Sequence, residues 1–251
     1  MAPIRFIGAI LALLLLTSTA RAEQFTRKSF LLTDGSFEVT GDPARPAMVG
    51  INASRGAFGD PLTIAPHFYW GVTDDLALGI SHGTGLCLGD NCYKTYNDAG
   101  FDLMFYLTGS NKFELDLHVG VPVSSFDPFI IGVSAGVLGR VNLGSVAALV
   151  FDPAVYIGLN KRQEFGNRES LHLPFWFYFQ ATDVVVPFVG SAVSGPFDGL
   201  FDDFAPPLEG GILFDVAQNV DVGFMMRFHR LLGPDGDADQ RGMYFLGRFR
   251  F

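Results

Sequence analysis

Residues 98–123 read DAGFDLMFYLTGSNKFELDLHVGVPV and contain two runs in which large apolar residues alternate with small or polar ones. The apolar set is Ala99, Phe101, Leu103, Phe105 and Leu107 in the first run, and Phe113, Leu115, Leu117, Val119 and Val121 in the second. Alternation with a period of two puts each set on one face of a β-strand. The intervening Thr108–Lys112 is typical of a tight turn. The stretch therefore predicts an antiparallel hairpin with one apolar face.

The same pattern recurs towards the C-terminus. Val222, Phe224, Met226 and Phe228 alternate with Asp221, Gly223, Met225, Arg227 and His229. Because the apolar faces are almost uniformly large, they are poorly suited to the inside of a small soluble barrel, which needs alternating sizes to pack. Lipid accepts large side chains at every outward position, and a membrane barrel lines its interior with acids, Arg, His and Gly. The pattern therefore favours apolar faces that point outward.

The composition supports a protein covered by lipid. The 251 residues include 26 Phe but only 17 Lys plus Arg, and 17% of the chain is charged. A soluble surface is expected to be about 25–35% charged. So apolar a chain is neither disordered nor a small disulfide scaffold. The formal net charge of −9 argues against nucleic acid as a partner.

The connections between the predicted strands fall into two sorts, in alternation. The short sort comprises Val72–Asp75, Thr108–Lys112, Val141–Gly144, Ala181–Asp183 and Ala217–Val220. The other sort comprises Ser54–Pro61, Thr84–Asn97, Ser124–Pro128, Asn160–Ser170, Ser194–Pro207 and Leu232–Gly242, of which only Ser124–Pro128 is short. Short turns at one end and long loops at the other are typical of an outer-membrane barrel.

The expected fold is all-β, a closed antiparallel transmembrane β-barrel over residues 47–251, most simply of twelve strands, with ten or fourteen as alternatives. The strands are expected at 47–54, 62–72, 76–84, 98–107, 113–123, 129–140, 145–158, 171–181, 184–193, 208–216, 221–231 and 243–251. The first is the least regular, because Gly35–Gly41 also has strand character and is separated from it by Pro43 and Pro46. Residues 23–46 are expected to form a periplasmic N-terminal segment.

Residues 1–22 have the order of a cleaved signal peptide. Arg5 precedes an apolar core, Ile7–Leu16, and Ala20-Arg-Ala22 fits the cleavage site. A retained membrane anchor is the alternative.

Because export leads to an oxidising compartment, Cys87 and Cys92 are expected to form a local disulfide, and without His at ligand spacing they make a poor zinc site.

With these features the chain resembles the Gram-negative outer-membrane β-barrel superfamily of porin-like proteins. The resemblance rests on the signal peptide, on hairpins such as Phe68–Ile80 and on the final strand, YFLGRFRF at 244–251. It implies a place in the outer membrane, contact with its lipid, and passage of small solutes. It also implies recognition by the barrel-assembly machinery through Tyr244, Phe249 and Phe251, although the Gly of that signal would align with Leu246 and here stands one place later, at Gly247.

The inward faces carry the candidate functional residues. If Leu107 pairs with Phe113, Asp102 faces His118 and Met104 faces Asp116 inside the barrel. The candidate lumen-lining residues are Asp102, Asp116, His118, Arg140, Asp215, Asp221, Arg227, Arg248 and Arg250. They could form a constriction that selects charged solutes, or an ion-pair network that stabilises and partly fills the lumen.

The sequence gives only weak indications of a metal site. Asp235, Asp237 and Asp239 are spaced like the start of a calcium loop, but Leu246 stands where an EF-hand needs Glu. No cofactor and no catalytic residue is predicted.

The expected function is a narrow passive channel for small solutes or a structural barrel. The alternatives are a surface-loop binding or adhesion module and, less favoured, a lipid hydrolase using the rim residues His82 and Thr84.

Overall fold

The computed structural model describes residues 28–41, 43–44, 46–54, 57–198, 206–231 and 237–251. Sixteen β-segments form a single antiparallel sheet. They are β1 Phe37–Thr40, β2 Ala47–Ser54, β3 Ala57–Ile64, β4 His67–Thr73, β5 Leu76–Ser81, β6 Leu86–Leu88, β7 Ala99–Gly109, β8 Phe113–Phe126, β9 Phe129–Leu143, β10 Ala147–Phe151, β11 Ala154–Gly158, β12 Ser170–Phe179, β13 Val185–Pro196, β14 Leu208–Ala217, β15 Val220–Arg230 and β16 Asp237–Arg250. Within the described ranges, no helix is long and apolar enough to cross a membrane. The predicted signal peptide, residues 1–22, lies outside them.

The sixteen segments make twelve barrel strands. Four strands are interrupted and consist of two consecutive segments each, β1 with β2, β3 with β4, β5 with β6, and β10 with β11, so that 16 − 4 = 12. The sheet closes because β16 pairs with β1 at the short-turn end and with β2 further along. The prediction of a closed, twelve-stranded antiparallel barrel is confirmed.

The barrel begins earlier than predicted. Phe37–Thr40 pairs with β4 on one side and β16 on the other, so the expected boundary at residue 46 is wrong. Between β1 and β2 the chain leaves the sheet, because Pro43 and Pro46 have no N–H for the ladder. At Gly41 a Cβ atom would lie 2.1 Å from the Ala47 backbone, so this departure requires glycine.

The register between β7 and β8 also differs from the prediction. Met104 pairs with His118, and Asp102 with Gly120, two residues away from the expected partners. The reason is a bulge between Tyr106 and Thr108, where the two strands do not advance in step. Because the shift is even, the same side chains still face inward.

The two ends of the barrel differ as expected, with two corrections. The predicted loop Ser54–Pro61 is mostly strand, because β2 ends at Ser54 and β3 begins at Ala57. β16 begins at Asp237, so Leu232–Gly242 is partly strand. The long connections are 89–98, 159–169 and 197–207, all at one end, hereafter the long-loop end. The C-terminal Phe251 lies at the short-turn end, where it pairs with Phe37.

The outward face carries the large apolar side chains and the inward face carries most of the charge. Phe101 is 62% exposed and Phe245 is 49% exposed on the outside. Inside, part of the lumen is a packed core of aromatic and aliphatic side chains. This core occupies the short-turn half of the barrel, and a cavity lies towards the long-loop end.

Candidate functional site

The lumen is filled at the short-turn end by the chain's own N-terminal residues. Residues 28–34, hereafter the N-terminal plug, enter the barrel at this end: Phe30, Leu31 and Leu32 are buried inside it, whereas Thr33 and Asp34 are exposed. They share a core with inward side chains of the barrel wall, among them Met104, Leu138, Trp176, Tyr178, Leu213, Met225 and Leu246. At Gly71 a Cβ atom would lie 2.1 Å from the Thr33 carbonyl oxygen, so the plug packs against bare backbone there.

Lys28 binds the plug to the barrel wall. Its Nζ donates to Asp215 Oδ1 at 2.8 Å, to Asp221 Oδ1 at 2.7 Å and to the Ala217 carbonyl oxygen at 3.1 Å. The three charged side chains are 0–2% exposed. The two aspartates flank the β14–β15 turn, so one ammonium bridges two carboxylates and reduces the repulsion between them.

Glu114 and Arg140 bind the plug at Lys28, Ser29 and Phe30. Glu114 Oε1 accepts from Ser29 Oγ at 2.5 Å and from the Phe30 amide at 2.9 Å, and its Oε2 accepts from Arg140 Nη2 at 2.6 Å. Arg140 also donates to the Lys28 carbonyl oxygen, and its guanidinium carbon lies 5.1 Å from the centre of the Phe30 ring. The plug is thus bonded to two adjacent barrel strands, β8 and β9.

A second ionic group surrounds Glu38 at the start of the barrel. Arg250 Nε donates to Glu38 Oε2 at 2.5 Å and Arg250 Nη2 to the Ser29 carbonyl oxygen at 2.6 Å. Arg248 lies 3.7 Å from Glu38 and donates to the Pro43 carbonyl oxygen. The Ala44 carbonyl accepts from Tyr178 Oη at 2.7 Å. The described residues between Gly41 and Pro46, hereafter the inner loop, are therefore also bound inside the lumen.

Asp116 is the exception in this network. Its side chain is fully buried, and neither carboxylate oxygen has a hydrogen-bond partner within the described part of the chain. Its electrostatic neighbours are Glu114, Arg140 and His118. Burial of this carboxyl group is unfavourable, and the positive charge of Arg140 offsets part of the cost.

Towards the long-loop end the lumen opens into a cavity of about 290 Å³, lined by both polar and apolar side chains. Its wall includes His67, Tyr69, Ser81, Asp102, Met104, His118, Pro122, Ser134 and Asp152. His118 Nε2 lies 2.7 Å from Asp152 Oδ1. A smaller cavity of about 100 Å³ adjoins Asp152 and is bordered by Trp176, Glu209 and Arg227. A polar solute entering from this end would meet hydrogen-bonding groups on several strands.

The connection 159–169 is hydrogen-bonded to strand residues at the long-loop end. Asn167 is buried and accepts from Tyr156 Oη at 2.5 Å, while its amide donates to the Ile131 carbonyl oxygen at 3.0 Å. Arg162 Nη2 donates to both carboxylate oxygens of Glu169, at 2.5 and 2.7 Å. This bond from Arg162 holds the pKa of the Glu169 carboxyl below its usual range.

Replacing Arg162 with Gln is expected to raise the pKa of Glu169 towards its ordinary value, because the hydrogen-bonding cation is lost. Since the lowered pKa stabilises the folded loop above the ordinary carboxyl pKa, that contribution fades as the pH falls through the acid range. The measurement is an NMR titration of the Glu169 carboxyl carbon. Lys161→Gln is the control, because Lys161 bonds Glu164 instead. An unchanged Glu169 titration in the Arg162 variant would contradict the assignment.

All nine candidate lumen residues lie on the inward face, in two groups. One group surrounds the plug and the inner loop and comprises Asp116, Arg140, Asp215, Asp221, Arg248 and Arg250. The other group borders the open half and comprises Asp102, His118 and Arg227.

Sequence reasoning missed Lys28, Glu38, Glu114, Asp152 and Glu209. Glu114 could have been found, because it alternates in the same run as Asp116 and His118. Lys28 has no such signal, because it enters the lumen only through the folding back of the N-terminal segment.

The remaining predicted sites have different outcomes. The Cys87–Cys92 disulfide is confirmed, with the sulfur atoms 2.09 Å apart. Asp235 lies outside the described residues, Asp237 and Asp239 belong to β16, and the described residues contain no group of three or more potential metal ligands. Tyr244 faces inward, and Phe251 is 76% exposed at the barrel end.

His82 gives no support to a hydrolase. Its Nδ1 lies 2.6 Å from the Pro66 carbonyl oxygen, and its Nε2 lies 3.1 Å from Tyr96 Oη. The Thr84 amide donates to Asp98. The ring of His82 thus contacts a backbone carbonyl and a tyrosine at the rim, an arrangement that tethers the loop.

No protein-family profile and no curated protein matches the sequence. Solved structures do match the fold. The NanC porin superposes with a TM-score of 0.57 at 6% identity, over 80% of this chain and 97% of that one. An outer membrane channel from Pseudomonas putida F1 gives 0.56 at 12% identity, over 92% and 100%. The KdgM porin, solved in complex with disordered oligogalacturonate, gives 0.53 at 7% identity, over 86% and 98%. The chain therefore has the fold of outer-membrane porins and channels.

Proposed function

We propose that this protein is a narrow passive channel of the Gram-negative outer membrane that passes small solutes. Its long-loop end faces outward and its short-turn end faces the periplasm, as in other barrels of this type. The observation that carries the proposal is the cavity of about 290 Å³ inside the closed barrel, whose lining includes His67, Asp102 and His118. The shared fold with porins and channels supports it.

The plug decides how much this channel conducts. The N-terminal plug and the inner loop fill the periplasmic half of the lumen with buried apolar side chains. Water and ions cross such a packed core poorly, so the resting state is a closed or weakly conducting pore. The outward cavity is the vestibule in which a solute is first bound.

Deletion of residues 28–34 is expected to raise single-channel conductance at least several-fold, because it removes buried side chains from the narrowest part of the lumen. The measurement is made in planar lipid bilayers on the full chain and on the deletion variant. Glu164→Gln, a change in an exposed loop ion pair, is the control and is expected to conduct like the unaltered protein.

Folding of each variant is checked by heat-modifiable migration on a detergent gel. A folded deletion variant with no conductance would overturn the channel proposal. It would favour a structural barrel, the second candidate, which the tightly packed plug also suits. If the deletion variant does not fold, Leu31→Ser in the plug replaces it, with a smaller increase expected.

A further inference from the structure

We propose that Asp215, Asp221 and the Ala217 carbonyl form a binding site for primary ammonium groups, and that Lys28 is its tethered occupant. Soluble primary amines would compete with Lys28 for this site. The inference rests on the proposed channel function and deepens it, because it names small primary amines as a solute class. It also gives the buried lysine of the plug a role.

The geometry of the site matches an ammonium group. An ammonium carries three N–H donors and no acceptor. The site supplies three oxygen acceptors from three residues, at 2.7, 2.8 and 3.1 Å from Lys28 Nζ. A quaternary ammonium has no N–H to donate, and a planar guanidinium spreads its donors over a fixed fork, whereas these three acceptors surround a single nitrogen. The site therefore selects for primary amines.

The site has further accepting capacity. Asp221 Oδ2 is buried and has no hydrogen-bond partner within the described residues. Arg248 Nη1 lies 4.0 Å from this oxygen, which is too far for a hydrogen bond. The buried Asp221 carboxylate is thus incompletely satisfied by Lys28, and beside the Asp215 carboxylate it attracts a cation when the lysine is absent.

Competition between solute and plug arises from the tether. A buried ion pair gives little net stability, because desolvation offsets much of the attraction. A short tether presents its group at an effective concentration of about millimolar. Phe30, Leu31 and Leu32 add apolar burial that raises this value for the intact plug. A soluble amine therefore binds most readily when the Lys28 side chain is removed.

The first test is rescue of Lys28→Ala with propylammonium, which has the atoms that this substitution removes beyond Cβ. Propylammonium chloride at about 1–100 mM is expected to raise the thermal unfolding midpoint of the variant saturably, with a millimolar dissociation constant. Tetramethylammonium chloride and sodium chloride at equal ionic strength are expected to give no such shift. Equal shifts with all three salts would overturn the proposal.

Matched variants show where the amine binds. Asp221→Asn in the Lys28→Ala background is expected to abolish the propylammonium shift, and a shift that persists would contradict the site. Lys161→Ala removes a lysine from an exposed ion pair with Glu164, and no propylammonium shift is expected there. Because these readouts need no conductance, their failure is distinct from failure of the channel proposal.

A second test uses the otherwise unaltered chain and holds even if Lys28→Ala fails to fold. Leu31→Cys places a thiol at a buried position of the plug, and the native cysteines are joined in a disulfide. Propylammonium is expected to increase the rate at which a polar maleimide modifies this thiol, because it competes with Lys28 and exposes the plug. The proposal is wrong if tetramethylammonium increases the rate equally or if propylammonium leaves it unchanged.

Discussion

Replacing Arg140 with Met is expected to lower the free energy of unfolding by about 3–5 kcal/mol, because it leaves buried acidic groups without their cation. Arg140 forms a 2.6 Å bond to Glu114 and is an electrostatic neighbour of Asp116, whose oxygens have no hydrogen-bond partner in the described residues. Met keeps most of the apolar volume of the side chain. The loss therefore reports on charge more than on packing.

The measurement is urea unfolding in lipid vesicles, followed by tryptophan fluorescence. The double variant Arg140→Met with Glu114→Gln is expected to lose less than the sum of the two single changes, because it no longer contains an unpaired charge at that position. The control Glu164→Gln affects an exposed pair and is expected to change stability by less than about 1 kcal/mol. Strictly additive losses would show that Glu114 and Arg140 do not act as a pair.

Trp176→Ala is expected to lower the free energy of unfolding by about 3–5 kcal/mol, because a large buried ring is lost from the lumen core. Trp176 is 4% exposed and belongs to the core that contains the plug. Its indole N–H donates to Glu209, and its ring lies against Gly190, where a Cβ atom would be 2.2 Å away. The glycine on the neighbouring strand thus makes the space that the ring fills.

Trp176→Phe separates packing from hydrogen bonding in this prediction. Phe retains most of the ring volume but cannot donate to Glu209, so a loss of about 1–3 kcal/mol is expected. Both variants are compared by urea unfolding in vesicles, with the fluorescence of Trp70 as the remaining probe. A loss below about 1 kcal/mol for Trp176→Ala would mean that the lumen is not a packed core.

The interior of the barrel is partly a packed protein core and partly a cavity, which is the solute path of the proposed channel. The ionic bonds hold the plug at its first residues, whereas apolar packing holds Phe30 to Leu32. An ion pair can exchange one cation for another, but the apolar contacts have no soluble competitor of similar shape. This difference makes Lys28 the point at which a solute could act on the plug.

Much of the fold could be predicted from the sequence, because strand identity and facing are local properties. The alternation from Ala99 to Val121 determines which side chains meet lipid, and it remains valid whatever the partner strands are. The same local rule placed Arg140, Asp215 and Arg248 inside the barrel. The first strand was predicted less well. Pro43 and Pro46 interrupt its pattern, and its two segments, β1 and β2, lie on either side of these prolines.

The sequence by itself determined an antiparallel membrane barrel with an apolar outside and a charged inside, because each strand shows the period-two alternation on its own. Twelve was the favoured strand number, with ten and fourteen left open. Only the tertiary structure decided which residues fill that inside. Lys28 meets Asp215 across 187 positions of sequence, and Tyr178 meets Ala44 across 134. No local pattern encodes such contacts, because they depend on the closed barrel bringing distant strands around a segment that folds back between them.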